Sequence, residues 1–264
     1  MKSEGDRLQE MDLIKEYSIQ NTWRDWEKYL EKLPLDQNQI VYDLGCSIGT
    51  VSHLLAKKKK QVTGFDNDNA LLEIANKEKE NNCKFVDANI FTLDPSKLEK
   101  CDGIWMSFAL AYMENPDLFI ASWTKCLNSD GWFAIVDIDN LFSGHLTENN
   151  KFLKEIKDFE RESEKSKTYD FKIGGKIKSL MEKNGLEIII AEENWYDIEL
   201  NFSGNANKNI IENWQARLER MVHLKNHFGE NYGEFCDMFI NSLSSEEHIA
   251  NGCVKFYVGI KKQQ

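Results

Sequence analysis

Apolar residues near the start of the chain recur at helical spacing: Leu8, Met11, Ile14, Tyr17, Trp23, Trp26, Tyr29, Leu30 and Leu33. That period lays them along one face of one or two amphipathic helices, and Pro34 stops the run because it has no amide hydrogen to donate. The pattern then changes. Ile40-Val41-Tyr42-Asp43-Leu44 is a short, mostly apolar, partly β-branched run ending at Gly45, which reads as a buried strand entering a turn. Helical spacing returns over 51–60, with Val51, Leu54 and Leu55 on one face. From there strands are expected at 61–65, 84–86, 101–106 and 131–136, separated by helices over 69–81 and 116–126. Alternation of this kind predicts an α/β fold, doubly wound, with a mostly parallel sheet and helices on both faces.

The last hundred residues are less regular. Helices are expected over 146–165 and 175–184, the second ended by Gly185, and strands over 186–191 and 253–260. Between those strands, residues 203–249 read as two helices, one carrying Trp214, Leu218, Met221 and Val222, the other Phe235, Met238 and Phe239. So long an excursion is no hairpin loop; it is expected to cap a site before the last strand. A chain of 264 residues suits one core with helical additions. The expected plan is therefore a single domain: an N-terminal helical lid over 1–38, a ligand-binding half over 39–140 and a second half over 141–264.

Charge narrows the partners. The 33 basic and 44 acidic residues leave a net charge of −11, a field that repels phosphate backbones, so no nucleic-acid partner is expected. The one tight basic run, 57–60, falls at a helix end, where cations compensate the dipole. Neither a signal-peptide core nor a membrane-length apolar stretch occurs, and six scattered cysteines without a Cys-x-x-Cys pair read as reduced thiols. A cytoplasmic location and no membrane partner follow as expectations. His223 and His227 stand four apart, as on zinc-binding helices, but lack the adjacent Glu and a third ligand, so no metal is expected. The stretch 171–176 carries glycines before a lysine without phosphate-loop spacing.

The strand ends hold the candidate chemistry. Ligands of open parallel sheets bind beyond the carboxyl ends of the strands, where strand order reverses. The first strand ends Asp43-Leu44-Gly45-Cys46-Ser47-Ile48-Gly49, the second in Asp66 and Asn67, the third in Asp87-Ala88-Asn89. Gly45 permits a sharp turn, and Gly49 lets the next helix pack closely. Asp66 lies 21 residues beyond Gly45, the offset of an acid that accepts ribose hydroxyls. A dinucleotide and S-adenosylmethionine both satisfy that offset. Asp43 decides between them: beside a pyrophosphate it would repel, whereas it attracts the ammonium and sulfonium of S-adenosylmethionine.

The same residues resemble the class I S-adenosylmethionine-dependent methyltransferases. Residues 41–50 look like the first motif of that family, usually Asp-x-Gly-x-Gly-x-Gly, here with Ser47 at the middle glycine. Val62-Thr63-Gly64-Phe65-Asp66 resembles the ribose-binding motif. Phe85-Val86-Asp87-Ala88 resembles the adenine-binding one. Residues 101–110 resemble the fourth-strand motif, whose end, Ser107-Phe108, lies by the methionine moiety. The resemblance covers about the first half of the chain and implies a seven-stranded sheet with its last strand antiparallel. It also implies methyl transfer by in-line displacement and cofactor contacts along these strand ends, Cys46 among them, with Trp23 closing over from the lid. The fourth strand lacks the Asn-Pro-Pro-Tyr-type signature of base methylation. A small-molecule acceptor, methylated at oxygen or nitrogen, is the expected partner. A protein or peptide substrate, a non-catalytic cofactor-binding subunit and a dinucleotide dehydrogenase are the alternatives. Candidates for a general base are Asp137, Asp139, His145 and His223, with His227 beside the last.

Overall fold

The structure is a computed structural model that describes residues 4–36, 39–58, 60–77, 80–250 and 252–262, with side chains from residue 14 onward. The Leu8 and Met11 side chains, Lys59 of the basic run and residues 78–79 of an expected helix lie outside the described residues.

Two N-terminal helices, α1 (Glu4–Trp23) and α2 (Trp26–Glu31), precede the sheet. Then come β1 (Ile40–Leu44), α3 (Thr50–Lys57), β2 (Gln61–Asp66), α4 (Asn69–Ala75), β3 (Cys83–Asp87) and β4 (Cys101–Ser107). They are followed by α5 (Pro116–Cys126), β5 (Leu127–Ile138), α6 (Leu153–Lys165), α7 (Gly174–Lys183) and β6 (Leu186–Glu192). Three helices, α8 (Lys208–Arg220), α9 (Val222–Phe228) and α10 (Tyr232–Leu243), lead to the final strand β7 (Val254–Lys261). The seven strands form one sheet in the order β3-β2-β1-β4-β5-β7-β6. β7 runs antiparallel to both its neighbours, and the other neighbouring pairs are parallel. Strand order therefore reverses between β1 and β4, which opens a crevice at their carboxyl ends.

Alternation along the strands builds two apolar layers. Val41, Val62, Trp105, Trp132 and Val136 point to one side, where they meet α2, α3 and the C-terminal helices; Tyr42, Leu44, Ile104, Met106, Phe133 and Ile135 meet α5 and α7 on the other. Gly103 is needed for this packing: a Cβ there would stand 2.2 Å from the Trp132 ring.

Three expectations are corrected. The helix expected over 146–165 starts only at Leu153; ahead of it a short turn over 143–145 is fixed by buried Glu160, which accepts from the Phe142 amide, the Ser143 amide and the Ser143 hydroxyl. The helix expected over 69–81 ends at Ala75, where the Asn76 side chain donates to the Leu72 carbonyl instead of continuing the ladder. The excursion over 203–249 holds three helices, because Met221 leaves helical geometry at φ −81°, ψ 73°. Trp214 and Leu218 are consequently buried, and Val222, on the next helix, is exposed.

Candidate active site

The turn after β1 is built on backbone conformations that L side chains rarely adopt. Gly45, Ser47 and Gly49 have φ of +75°, +51° and +81°. The Gly45 and Cys46 amides both donate to the Phe65 carbonyl, at 2.9 and 3.0 Å, which folds the turn over the end of β2. A Cβ at Gly45 would reach the Ala109 Cβ at 3.2 Å, and one at Gly49 the Phe85 ring at 2.7 Å. The glycines thus leave space on one side of the turn for a ligand and on the other for close helix packing.

Two carboxylates flank this turn. Asp66 accepts from the Ser47 amide at 2.8 Å and the Asp68 amide at 3.0 Å, while Asp68 caps α4. Asp43 is 2% exposed and accepts the Ser52 hydroxyl at 2.6 Å. Burial pushes the Asp43 carboxyl up to about 7, and the neighbouring Asp66 adds to the rise. Burial raises Asp66 as well, against the amides it accepts. Such displacements disfavour the ionised form until a cationic ligand restores it, and they mark a candidate functional site.

Both acids open onto a cavity of about 980 Å³ at the carboxyl ends of the strands. From the first half of the chain its walls include Asp43, Gly45, Cys46, Ser47, Asp66 and Asn67. Ala88, Asn89, Ser107 and Phe108 complete that side. Three expected contacts lie elsewhere. Gly49 is behind the turn against Phe85, the Asp87 side chain is exposed outside the walls, and Trp26 takes the position expected for Trp23. The last difference arises because α1 ends at Trp23; α2 then carries Trp26 to 6.4 Å from Phe108.

The expected general bases separate sharply. His223 lines the cavity. Asp137 does not: fully buried, it accepts from the Leu110, Ala111 and Ile138 amides at 2.9, 3.3 and 2.8 Å and pins the turn after β4. Burial pushes its carboxyl up to about 7. Asp139 pairs with Lys255 at 3.7 Å, outside the cavity walls. His145 is sealed against His248, nitrogen to nitrogen at 2.9 Å, with burial and that neighbour holding it down to about 3. His227 turns to α6, where it meets the Glu155 carbonyl and Glu162. No cluster of three metal-ligating side chains occurs among the described residues.

A family model described as a methyltransferase domain matches residues 35–226, from just before β1 into α9. The chain belongs to this methyltransferase family. Among solved structures, this methyltransferase is similar to a chain in the complex between the Haloferax volcanii Trm112 methyltransferase activator and the putative methyltransferase, with 14% identity, all of each chain covered and a TM-score of 0.60. Coclaurine N-methyltransferase bound to N-methylheliamine and S-adenosylhomocysteine follows at 16% identity, 89% of this chain and 71% of that one, TM-score 0.55. The [4+2]-cyclase SpnF shares 13% identity over 90% of this chain and 80% of its own, TM-score 0.57. These likenesses establish a shared fold. No curated protein matches the sequence.

What the sequence did not reveal is how the methyltransferase closes its cavity. Arg24, at the bend between α1 and α2, pairs with Asp197 at 2.8 Å and Glu199 at 3.0 Å, both acids 1% exposed in the loop before α8. Its guanidinium also lies 4.5 Å from the Phe108 ring centre. Glu199 collects further donors from Asn213 and Arg217 on α8, each at 2.6 Å, and Arg220 pairs with Glu16 on α1. More than 170 positions separate Arg24 from its partners. No local motif marks such a joint; the only signal was an arginine beside the aromatic pair Trp23 and Trp26.

Proposed function

We propose that this methyltransferase draws the methyl group from S-adenosylmethionine and delivers it to an oxygen or nitrogen nucleophile of a small molecule. The observation that carries this reading is the pairing of Asp43 and Asp66 around a turn of positive-φ residues, with both acids, Gly45 and Ser47 opening onto one cavity. The residues fit the cofactor. Asp66 offers a carboxylate for ribose hydroxyls, and the open side of Gly45 admits a ligand. The Ser47 hydroxyl is buried without a partner among the described residues. Asp43 supplies negative charge toward an ammonium and a sulfonium.

S-adenosylmethionine, when bound, supplies an electrophilic methyl group on a positively charged sulfur. The chain's own work is then alignment and exclusion of water. Trp26 and Phe108 wall the middle of the cavity; helices α1, α8 and α9 contribute its far side. His223, which lines the cavity, would take a proton from an acceptor hydroxyl or ammonium. In this reading residues 1–38 form the lid, 39–140 hold the cofactor and 141–264 hold the acceptor. The coclaurine enzyme, bound to N-methylheliamine and S-adenosylhomocysteine, supports a small-molecule acceptor. The net charge of −11 argues against nucleic acid. No described helix is long and apolar enough to cross a membrane, in keeping with a cytoplasmic role.

The test is calorimetric titration with S-adenosylhomocysteine, with NAD for comparison. Wild type should bind the former and ignore NAD, and Asp66→Ala should weaken binding at least about tenfold, or 1.4 kcal/mol. Binding of NAD in its place, or of neither, overturns the proposal.

A further inference from the structure

The far end of the cavity is chemically unlike the cofactor end. Its walls come from α1 (Tyr17), the turn after β4 (Tyr112), the segment before α7 (Tyr169 and Phe171), α6 (Phe159) and α8 (Arg217). Two backbone hydrogen bonds fasten that segment to the strand ends: the Asp170 amide donates to the Ala111 carbonyl at 2.8 Å, and the Asn140 amide to the Phe171 carbonyl at 2.7 Å. The rings form a continuous wall. Tyr112 meets Tyr169 edge to face at 4.7 Å, Tyr169 meets Phe171 at 4.6 Å, and Phe171 meets Phe159 at 5.5 Å.

Charge at this end is cationic toward the cavity. Arg217 lies over the Trp214 ring, 4.5 Å from its centre, and is anchored through one nitrogen to Glu199, 2.6 Å away. The Glu199 side chain is 1% exposed and absent from the cavity lining, whereas the Arg217 side chain is 19% exposed and lines the cavity. Of the carboxylates that line the cavity among the described residues, Asp43, Asp66 and Asp68 stand at the turn after β1 and the start of α4, and Glu16 is paired with Arg220. Desolvation pushes the hydroxyls of Tyr17, Tyr112 and Tyr169 upward, Glu16 and Asp66 adding to the rise at Tyr17 and Asp137 at the other two, with Arg217 opposing it at each. All three therefore stay protonated and available as donors, within electrostatic reach of the same guanidinium. None of the three hydroxyls is hydrogen-bonded among the described residues.

Resting on the methyltransferase reading above, we infer that the methyl acceptor is an anionic, ring-bearing small molecule whose carboxylate or phosphate is received by Arg217 and the hydroxyls of Tyr17, Tyr112 and Tyr169. Arginine and phenol donors are the groups that recognise such an anion, and charge-assisted bonds are the stronger ones. The aromatic wall takes the ring face, and a cationic amine would meet no unpaired carboxylate here to offset the guanidinium.

The experiment uses the full chain saturated with S-adenosylhomocysteine, with that binding measured first. Four ring probes are then titrated: 4-hydroxybenzoate, phenyl phosphate, neutral 4-hydroxybenzamide and cationic tyramine. One or both anions should bind at least tenfold more tightly than the amide, and tyramine more weakly still; which anion leads separates carboxylate from phosphate. Arg217→Gln should abolish the preference. Tyr169→Phe, which keeps the ring and its packing, should weaken the anions severalfold while leaving S-adenosylhomocysteine affinity unchanged. Amide or tyramine binding as tightly as the anions, a preference that survives Arg217→Gln, or no binding by any probe to the loaded protein overturns the inference. Failure of S-adenosylhomocysteine itself to bind overturns instead the cofactor reading beneath it.

Discussion

The two ends of the cavity are built by different means. At the cofactor end, the wall groups from Asp43 to Phe108 lie within a few residues of a strand tip, and their positions follow from local backbone: a turn with three positive-φ residues, and acids held by neighbouring amides. At the acceptor end, the groups come from α1, the turn after β4, α6, the loop before α7 and α8, and long-range ion pairs hold them together. The first construction, being local, should be rigid and change little when a distant element changes. The second can be retuned by substitutions in any of five segments, which suits a fold that keeps one donor and changes acceptors.

The sharpest way to break this contrast is to attack the local turn. Gly49→Val adds a Cβ 2.7 Å from the Phe85 ring at a residue whose φ is +81°. Overpacking and left-handed strain together should cost about 3–5 kcal/mol, read as a lowered urea midpoint and loss of S-adenosylhomocysteine binding. A variant of wild-type stability would mean that the turn is not the rigid element described here.

The remote joint should respond differently. Glu199→Gln removes the negative charge on which Arg24 and Arg217 converge, and breaking a buried pair of this kind costs about 3 kcal/mol. Stability measured by denaturant should fall by that order, whereas S-adenosylhomocysteine affinity, which depends on the first half, should stay within about threefold, or 0.65 kcal/mol. Equal losses in both measurements would show that the two ends are mechanically one.

That contrast also explains what the sequence could disclose. Strand alternation and the spacing from Asp43 through Gly45 to Asp66 are local signals, and the mostly parallel sheet followed from them; the antiparallel last strand was implied by the family resemblance of the first half. Trp26 displaced Trp23 because the end of α1 is set by a bend at Arg24, whose partners Asp197 and Glu199 lie on a distant loop. Asp137, at the end of β5, and His145, shortly after it, are titratable residues near a strand tip, a pattern shared by catalytic and structural groups. Only burial separates them: one ties down three amides, and the other is sealed against His248. The Tyr17–Tyr112–Tyr169–Arg217 grouping has no spacing at all, because its members meet only after folding.

Asp43 offers a gentler probe of the cofactor end. With its carboxyl near 7 before ligand binds, it is neutral in acid and attracts no ammonium; above that value it is charged and does. S-adenosylhomocysteine affinity should therefore fall as pH drops below about 7, by up to roughly tenfold at pH 6, since one unit corresponds to about 1.4 kcal/mol. Asp43→Asn should bind more weakly at pH 8 and show a nearly flat profile. A wild-type profile equally flat from pH 8 to 6 would remove Asp43 from the cofactor's charge balance.

The smallest effect concerns stability, and its sign differs between the two halves. Asp43 and Asp137 have folded values raised to about 7, so their contribution is complete below the ordinary carboxylate range and is lost as pH rises through 7. His145, held down to about 3, and His248, also lowered by burial, behave oppositely: their contribution is present above about 6.5 and is lost as pH falls toward 3. Because the trends offset one another, wild-type stability alone is uninformative between pH 5.5 and 7.5. The difference against His145→Asn/His248→Asn isolates the pair. Between those pH values wild type should lose about 1–2 kcal/mol relative to the double variant, since each unit below an unperturbed histidine value is worth about 1.4 kcal/mol for a group that stays neutral when folded. Asp137→Asn should shift the same difference the other way. Parallel pH profiles for wild type and the histidine variant would mean that the pair takes up protons without disturbing the packing of Phe202, Trp214 and Phe239 around it.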